Sequence, residues 1–238
     1  MPLFPASNIL FIHIPKTAGS SIERTLYGNE PEENRYKAET FYGSEPPDWD
    51  NYQGYSLQHY TYCDLHSLLG EAKISSFALI FAVVRNPYYR LVSAFYYYYN
   101  YIINEAIDYT CIEELQALFS LFCQQFFDGT IYNDGHHRPQ YQYLVNANNQ
   151  IEPRVKVIYF EDLNESFQKL LGLTLINHEL KSDRLFSYAT HYNEATKRLV
   201  ADYYARDFIE FGYDPEDLHT SSPKTKVDLS CSAISLPV

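Results

Sequence analysis

The chain has 238 residues, 46% of them hydrophobic, which suffices for one domain with a full core, and no break in composition divides it. Its 18 Lys and Arg residues against 30 Asp and Glu give a formal net charge of −12, which disfavours nucleic acids and other long polyanions as partners. No apolar stretch reaches the roughly 18 residues of a membrane span, and no signal sequence follows Met1. The four Cys residues include no C-x-x-C pair, as is typical of reduced thiols. We therefore expect a cytoplasmic protein without a membrane partner.

The first predicted element is a buried strand, the apolar run 9–14, which Pro15 ends. A helix should follow, because Ser20 and Glu23 have the spacing of a capping box. The turn between strand and helix carries Lys16. The first N–H groups of a helix lack carbonyl partners and its dipole favours negative charge, so a phosphate or sulfate can bind there beside the lysine. The alternative is an ordinary strand-to-helix turn with a solvated lysine.

A polar segment at residues 29–55 follows this helix. It is rich in Pro, Glu, Tyr and Gly, which predicts a long loop. Long loops beside a cleft are often functional lids, and we expect that role here, with disorder as the alternative.

The second predicted strand is the apolar run 77–84, and Arg85 comes directly after it. Asn86 is a good N-cap and Pro87 suits the first helical position, so a helix should begin at this point. Ligands of open parallel sheets bind at the carboxyl ends of the strands. Arg85 offers a planar fork to a phosphate there, and Ser93 is a further polar group on the predicted helix. The alternative for Arg85 is a structural ion pair.

The remaining pattern alternates strands with helices. Helices are predicted at 87–104, 112–127, 163–171 and 193–208, and a third strand at 155–160. Such alternation indicates an α/β fold of three layers, with a parallel central sheet flanked by helices. We expect a single domain at 1–214 and a C-terminal arm or tail at 215–238, whose last part, 220–238, is rich in Ser, Pro and Lys.

Two motifs, Pro15-Lys-Thr-Ala-Gly-Ser-Ser21 and Arg85-Asn-Pro-Tyr-Tyr-Arg-Leu-Val-Ser93, resemble those of the sulfotransferases that use 3′-phosphoadenosine-5′-phosphosulfate (PAPS). The resemblance is strongest to the carbohydrate branch that includes the heparan 2-O and 6-O enzymes, and a chain without an anchor resembles a soluble bacterial-type member. Similar stretches at 137–144, 155–163 and 203–213 extend it over about residues 8–214. It implies the P-loop-like sulfotransferase fold, PAPS as the donor and a hydroxyl-bearing acceptor, and it implies no metal.

The resemblance also implies roles for individual residues. The first motif would hold the 5′-phosphosulfate, and Lys16 would also be catalytic. The candidate contacts to the phosphosulfate are Lys16, Thr17, Ala18, Gly19, Ser20 and Ser21. Arg85 and Ser93 would hold the 3′-phosphate. Acceptor contacts are expected next to the first motif and in a region that borders the acceptor cleft in the family; they are His13, His137, Arg138 and Gln140.

A base is also required, since the acceptor hydroxyl loses its proton as it attacks sulfur. A neutral His, with an ordinary pKa of about 6.5, suits that task near pH 7. His59 falls between the two motifs, where heparan sulfotransferases carry a catalytic His in a similar run, and Asp64 is a candidate to orient it. The alternative for His59 is a hydrogen-bonded loop histidine. His13, which also fits a buried structural role, and His137 are the next candidates for the base.

Other nucleotide and metal chemistries fit poorly. In a Walker loop the Lys follows a second Gly, whereas Lys16 precedes the only Gly of its loop, and no G-x-G-x-x-G occurs. His136 and His137 are adjacent, so they point apart in extended chain, and no H-E-x-x-H or Cys pair accompanies them. We therefore expect no metal site.

The acidic charge bears on the acceptor, which we expect to be a small neutral or cationic metabolite, such as a guanidinium natural product, or a neutral carbohydrate. The tyrosine-rich run 95–101 is mainly a packing element, in which some rings can stack on a sugar or a cation. One alternative is a heparan-like polysaccharide O-sulfotransferase. An alternative of another class is a non-catalytic protein that binds carbohydrate or nucleotide.

Overall fold

The structure is a computed structural model that describes residues 3–4, 7–27, 57–105, 107, 111–131, 135–175, 187–219 and 222–224. The predicted loop at 29–55 and, apart from 222–224, the predicted tail at 220–238 lie outside these ranges. The described residues fall into two compact units: a first unit from 1–84 and 140–179, and a second unit from 85–139 and 180–226. The expectation of one domain at 1–214 with an arm at 215–238 stays a prediction.

The sheet belongs to the first unit. Its strands are β1 Leu3–Phe4, β2 Ile9–Ile12, β3 Leu79–Val84 and β4 Val155–Tyr159, in the order β1-β2-β3-β4. The three predicted strands are confirmed, each one or two residues shorter than expected. Strands β2, β3 and β4 are parallel, with Phe11 opposite Phe81. The expected parallel sheet is confirmed for these three strands. The further strand β1, which was not predicted, pairs antiparallel to β2, since a connection this short permits only an antiparallel pair.

The α-helices, in chain order, are α1 Gly19–Tyr27, α2 Tyr62–Leu69, α3 Glu71–Ser76, α4 Pro87–Tyr97, α5 Ile112–Phe127, α6 Tyr141–Leu144, α7 Leu163–Leu171, α8 Glu194–Tyr203 and α9 Ala205–Phe211. The predicted bounds 112–127 and 163–171 are confirmed. The helix predicted at 87–104 is α4 followed by a π-helical turn, Tyr98–Ile102. The helix predicted at 193–208 is two helices, which separate at Tyr204, where the buried hydroxyl donates to the carbonyl of His137 at 2.8 Å. None of the helices in the described ranges combines the length and the apolar character needed to cross a bilayer.

One face of the sheet is covered by α1 and α7. Phe11 and Phe81 stack with ring centroids 4.8 Å apart, and Ile22 of α1 and Phe167 of α7 belong to the same buried cluster. Burying a side chain of this size stabilises the fold by roughly 1.5–3 kcal/mol. The apolar face of α1 therefore anchors that helix, and its first turn stands at the carboxyl end of β2.

The second unit is built around aromatic side chains. Phe95 of α4 contacts Phe119 and Phe122 of α5 edge-on, at centroid distances of 5.2 and 5.3 Å. His191, fully buried beside them, bonds the hydroxyl of Tyr96 through Nε2 at 3.0 Å. Most of the tyrosine-rich run thus packs within this unit, as expected, while Tyr101 remains 59% exposed.

Candidate active site

The turn between β2 and α1 has an unusual backbone. Lys16 and Ala18 both adopt left-handed conformations, with φ of 66° and 71°. Between them, Thr17 is buried and its hydroxyl donates to the carbonyl of Ile14 at 2.8 Å. The N–H of Ser21 donates to Ala18 at 3.1 Å, which begins the helix. Tight turns with left-handed residues can direct successive N–H groups toward one side, and such concavities bind anions. Strained residues of this kind are typical of ligand-binding turns.

The helix start differs from the predicted capping box. Helix α1 begins at Gly19, so Ser20 lies within its first turn and is exposed. The Glu23 carboxylate does not turn back to cap the helix. Its Oε1 bonds Nδ1 of His13 at 2.5 Å, and its Oε2 accepts from the side-chain amide of Gln58 at 2.8 Å. Glu23 therefore connects the helix to the end of β2 and to the turn that carries His59.

His13 is enclosed by its neighbours. Its ring stacks on Phe11 with a centroid distance of 5.6 Å and meets the ring of His59 edge-on at 4.7 Å. A β-carbon placed on Gly19 would lie 1.8 Å from Nε2 of His13, so only glycine fits at that position. Only 5% of His13 is exposed. This setting favours the structural role considered for His13, and its role as an acceptor contact stays a prediction.

The pKa of the Glu23 carboxyl lies below its ordinary value of 4.5. Burial alone would raise the pKa, but the charge and the hydrogen bond of His13, with a smaller effect of Gln58, outweigh burial. Glu23 is therefore ionised at neutral pH. In both protonated and neutral forms of His13, Nδ1–H is the donor of the bond.

His59 lies in a short 3₁₀ turn, Leu57–His59, and is 7% exposed. Its Nδ1 is 3.0 Å from the backbone carbonyl oxygen of His13. A carbonyl oxygen only accepts, so Nδ1 carries the hydrogen and Nε2 is the basic nitrogen of the neutral ring. Asp64 does not take the orienting role considered for it. Its carboxylate accepts from the N–H and the hydroxyl of Thr61, at 2.9 and 2.7 Å, and caps α2.

In the second unit, the predicted start of α4 is confirmed. Asn86 is the N-cap, with its side chain accepting from the N–H of Tyr88 at 3.0 Å, and Pro87 is the first helical residue. Arg85 is buried just before this cap, and its Nη2 donates to the hydroxyl of Tyr188 at 2.6 Å.

Tyr188 is a partner of a candidate site residue, and sequence reasoning missed it. The guanidinium carbon of Arg85 lies 5.6 Å from the centroid of its ring, and the ring stacks on Tyr89 at 4.1 Å and 5°. A phenol oxygen and an aromatic face thus help to orient Arg85. Because Tyr188 is 103 residues away in the chain, no local motif pointed to it.

Arg90 and Ser93, both in α4, differ in how deeply they are buried. Arg90 is buried, and its Nη2 donates to the carbonyls of His136 and Arg138, at 2.9 and 3.0 Å. It thereby fixes the backbone of the segment that contains His137. Ser93, three residues on, is only partly buried.

The candidate acceptor residues of the second unit are His137 and Arg138. The pKa of His137 is lowered by burial, and then by the positive charges of Arg138 and Arg90. His137 is therefore neutral at pH 7 and remains a chemically suitable alternative base. Gln140, the fourth candidate acceptor contact, belongs to the first unit and is fully buried immediately before α6.

Across the described part of the chain, no three His, Cys, Asp or Glu side chains come together as metal ligands. His136 instead packs its ring on Tyr97 with a centroid distance of 5.2 Å. The ring of His137 meets Phe126 edge-on at 6.2 Å.

Comparison with known protein families identifies the family of the chain. A family model described as the sulfotransferase family matches residues 3–214, a region that contains β2, the Lys16 turn, β3 and Arg85. Comparisons with curated proteins and with solved structures give no significant match. The mixed sheet flanked by helices is the α/β fold expected of such a protein. The match covers most of the sequence, and the chain belongs to the sulfotransferase family.

Proposed function

We propose that this protein transfers a sulfuryl group from PAPS to a hydroxyl of its acceptor. The observation that supports this most is the position of His13, whose ring touches Gly19 of the anion-binding turn on one side and His59 on the other. The candidate donor-binding turn and the candidate base are thereby neighbours within the first unit. Membership of the sulfotransferase family supports sulfuryl transfer as the reaction.

In the proposed reaction, the acceptor oxygen forms a bond to sulfur while the bond from sulfur to the 5′-phosphate oxygen breaks. Nε2 of His59 takes the proton of the hydroxyl. The ammonium of Lys16 stabilises the charge that builds on the leaving phosphate oxygen, where a fixed positive charge lowers the barrier. The turn supplies further donors to the phosphosulfate; these residues are Thr17, Ala18, Gly19, Ser20 and Ser21.

We assign the 3′-phosphate to Arg85 and Ser93. The guanidinium of Arg85 is a planar fork of donors, and its Nη2 donates to the hydroxyl of Tyr188 at 2.6 Å. A guanidinium that is already oriented loses less conformational freedom when it binds a phosphate in bidentate fashion. This assignment makes the protein selective for nucleotides with a 3′-phosphate.

The proposed acceptor is a small neutral or cationic molecule or a neutral carbohydrate. The support is the net charge of −12, which repels polyanions such as heparan at long range. Candidate acceptor contacts are His13, His137, Arg138 and Gln140. We further propose that the chain is a bacterial-type relative of the carbohydrate branch, which its two motifs resemble, with a change of acceptor.

The test uses PAPS with a radioactive sulfur label, offered with heparan fragments, neutral oligosaccharides, phenols and cationic metabolites. We expect label in the neutral or cationic members. A thermal-shift measurement with the desulfonated product, 3′-phosphoadenosine-5′-phosphate, should show stabilisation by mass action. Stabilisation without transfer to any acceptor would favour a non-catalytic nucleotide-binding protein. No response to the nucleotide would contradict the proposed function, and salt-sensitive labelling of heparan would replace the proposed acceptor with the polysaccharide.

A further inference from the structure

Four residues of the first unit, one of them the candidate base His59, form a closed ring of contacts. Gln58 donates to Glu23 at 2.8 Å, and Glu23 accepts from the ring of His13 at 2.5 Å. The backbone of His13 accepts from Nδ1 of His59 at 3.0 Å, and His59 is covalently joined to Gln58. Each of three separate elements, the end of β2, α1 and the 3₁₀ turn, supplies at least one member.

Glu23 is the centre of this ring, because its two oxygens hold two different elements. Oε1 fixes the side chain of His13, and Oε2 fixes the residue next to His59. Glu23 and His13 are 8% and 5% exposed, so water does not readily replace either contact. The ring spans the Lys16 turn, since His13 precedes the turn and Glu23 follows it.

We propose that Glu23 is a positioning residue for sulfuryl transfer, which keeps His59 in place with Nδ1 protonated and Nε2 basic. This inference rests on the proposed function, in which His59 is the base. Glu23 acts through His13 and Gln58 and does not itself touch the acceptor. Without the carboxylate, His13 and Gln58 lose their shared acceptor, and the carbonyl that selects the tautomer of His59 is no longer held.

The first test replaces Glu23 by Ala. We expect kcat to fall by about tenfold or more, the size of effect known for groups that orient metal-binding histidines, while the KM for PAPS stays nearly unchanged. Glu23→Gln keeps an acceptor oxygen of similar reach and should restore most of kcat. A simple packing role would also be preserved in Glu23→Gln, so the tautomer of His59 is the readout that separates positioning from packing.

The second readout does not depend on turnover. In protein labelled with ¹⁵N at histidine, long-range ¹H–¹⁵N spectra report which ring nitrogen carries the hydrogen, and the signals of His59 are identified by their loss in His59→Asn. We expect Nδ1–H in the wild-type protein and a mixture of tautomers in Glu23→Ala. Wild-type tautomer and wild-type kcat in Glu23→Ala would overturn the proposal.

A matched control is available in the same unit. His66 and Glu71 form a His–carboxylate pair at 2.9 Å, but both side chains are substantially exposed. Glu71→Ala should leave kcat and the tautomer of His59 unchanged. If Glu23→Ala does not fold, Gln58→Leu removes one donor of the ring and leaves the Glu23–His13 bond. Reduced kcat with a changed tautomer in Gln58→Leu supports the proposal, and no change in either contradicts it.

The failure of this inference can be told apart from the failure of the proposed function. Lack of transfer by the wild-type protein, with no binding of 3′-phosphoadenosine-5′-phosphate, counts against the function alone. Even in that case, comparing the tautomer of His59 in the wild-type protein and in Glu23→Ala shows whether Glu23 positions His59.

Discussion

The ring of His13 occupies the space in which a side chain on Gly19 would begin, with Nε2 only 1.8 Å from the ideal β-carbon position. Gly19 is the first residue of α1, and its own φ is not positive, so the requirement for glycine comes from the histidine and not from the backbone conformation. The Lys16 turn and the ring of contacts around Glu23 are thus in direct steric contact.

Gly19→Ala should therefore disturb both the fold and donor binding. Forcing a methyl group into a packed site costs about 1–3 kcal/mol, and here the ring of His13 must move as well. We expect a lower melting temperature and a smaller thermal shift with 3′-phosphoadenosine-5′-phosphate. Ser20→Ala, at the exposed next position, is the control and should keep wild-type stability. Equal stability of Gly19→Ala and wild type would show that His13 has another position to adopt.

Arg85→Ala should remove most of the selectivity for the 3′-phosphate. The wild-type protein should bind 3′-phosphoadenosine-5′-phosphate more tightly than 5′-AMP, and the variant should lose about tenfold or more of that preference, since a charge-assisted contact is lost. Calorimetry with both nucleotides measures the ratio directly. Arg206→Ala, which removes an arginine from an i,i+4 pair with Glu210, is the matched control. Similar affinities of the wild-type protein for both nucleotides would contradict the assignment of Arg85.

Lys16 and His59 should differ in which kinetic constant they affect. Lys16→Ala should weaken nucleotide binding and slow transfer, because its charge acts in both the ground state and the transition state. His59→Ala should keep nucleotide affinity and reduce kcat by about 10²-fold or more, the usual effect of losing a general base. Single-turnover kinetics with labelled PAPS, together with calorimetry, separate the two effects. Near-normal turnover in His59→Ala would move the role of base to His13 or His137.

Acid should weaken the fold partly through Glu23. Its pKa is depressed in the folded protein, so the unfolded state binds more protons, and the stabilisation is present above about pH 4.5 and is lost as the pH falls through the folded pKa. Glu23→Gln lacks this titration, so the difference in free energy of unfolding between wild type and variant should shrink on acidification. Urea unfolding of both proteins at a series of pH values measures this difference in the free energy of unfolding.

The control for this pH experiment is Glu71→Gln. Hydrogen bonds from Ser75, Arg154 and His66 lower the pKa of Glu71 to about 2, but its carboxylate is exposed and solvent screens these contacts. We therefore expect a smaller pH-dependent difference for Glu71→Gln than for Glu23→Gln. A difference for Glu23→Gln that does not change with pH would show that the Glu23 carboxylate has the same pKa in both states.

The sequence by itself was sufficient for the elements that local patterns encode. Apolar runs located β2, β3 and β4, and helical periodicity located α5 and α7 with the bounds that the structure has. Asn86 and Pro87 predicted the start of α4 because capping depends only on residues within one helical turn. The strand-to-helix turn at Lys16 was predicted from local pattern for the same reason, and its role in binding an anion stays a prediction.

Only the tertiary structure decided the partners of the candidate site residues. His59 bonds a carbonyl 46 residues away, Gln58 bonds Glu23 across 35 residues, and Arg85 meets Tyr188 across 103 residues. Glu23 illustrates the difference, since its spacing from Ser20 predicted a helix cap, whereas its carboxylate serves His13 and Gln58. Helix and strand propensities depend on neighbours along the chain, but a side chain's hydrogen-bond partner depends on which segments the packed core brings together.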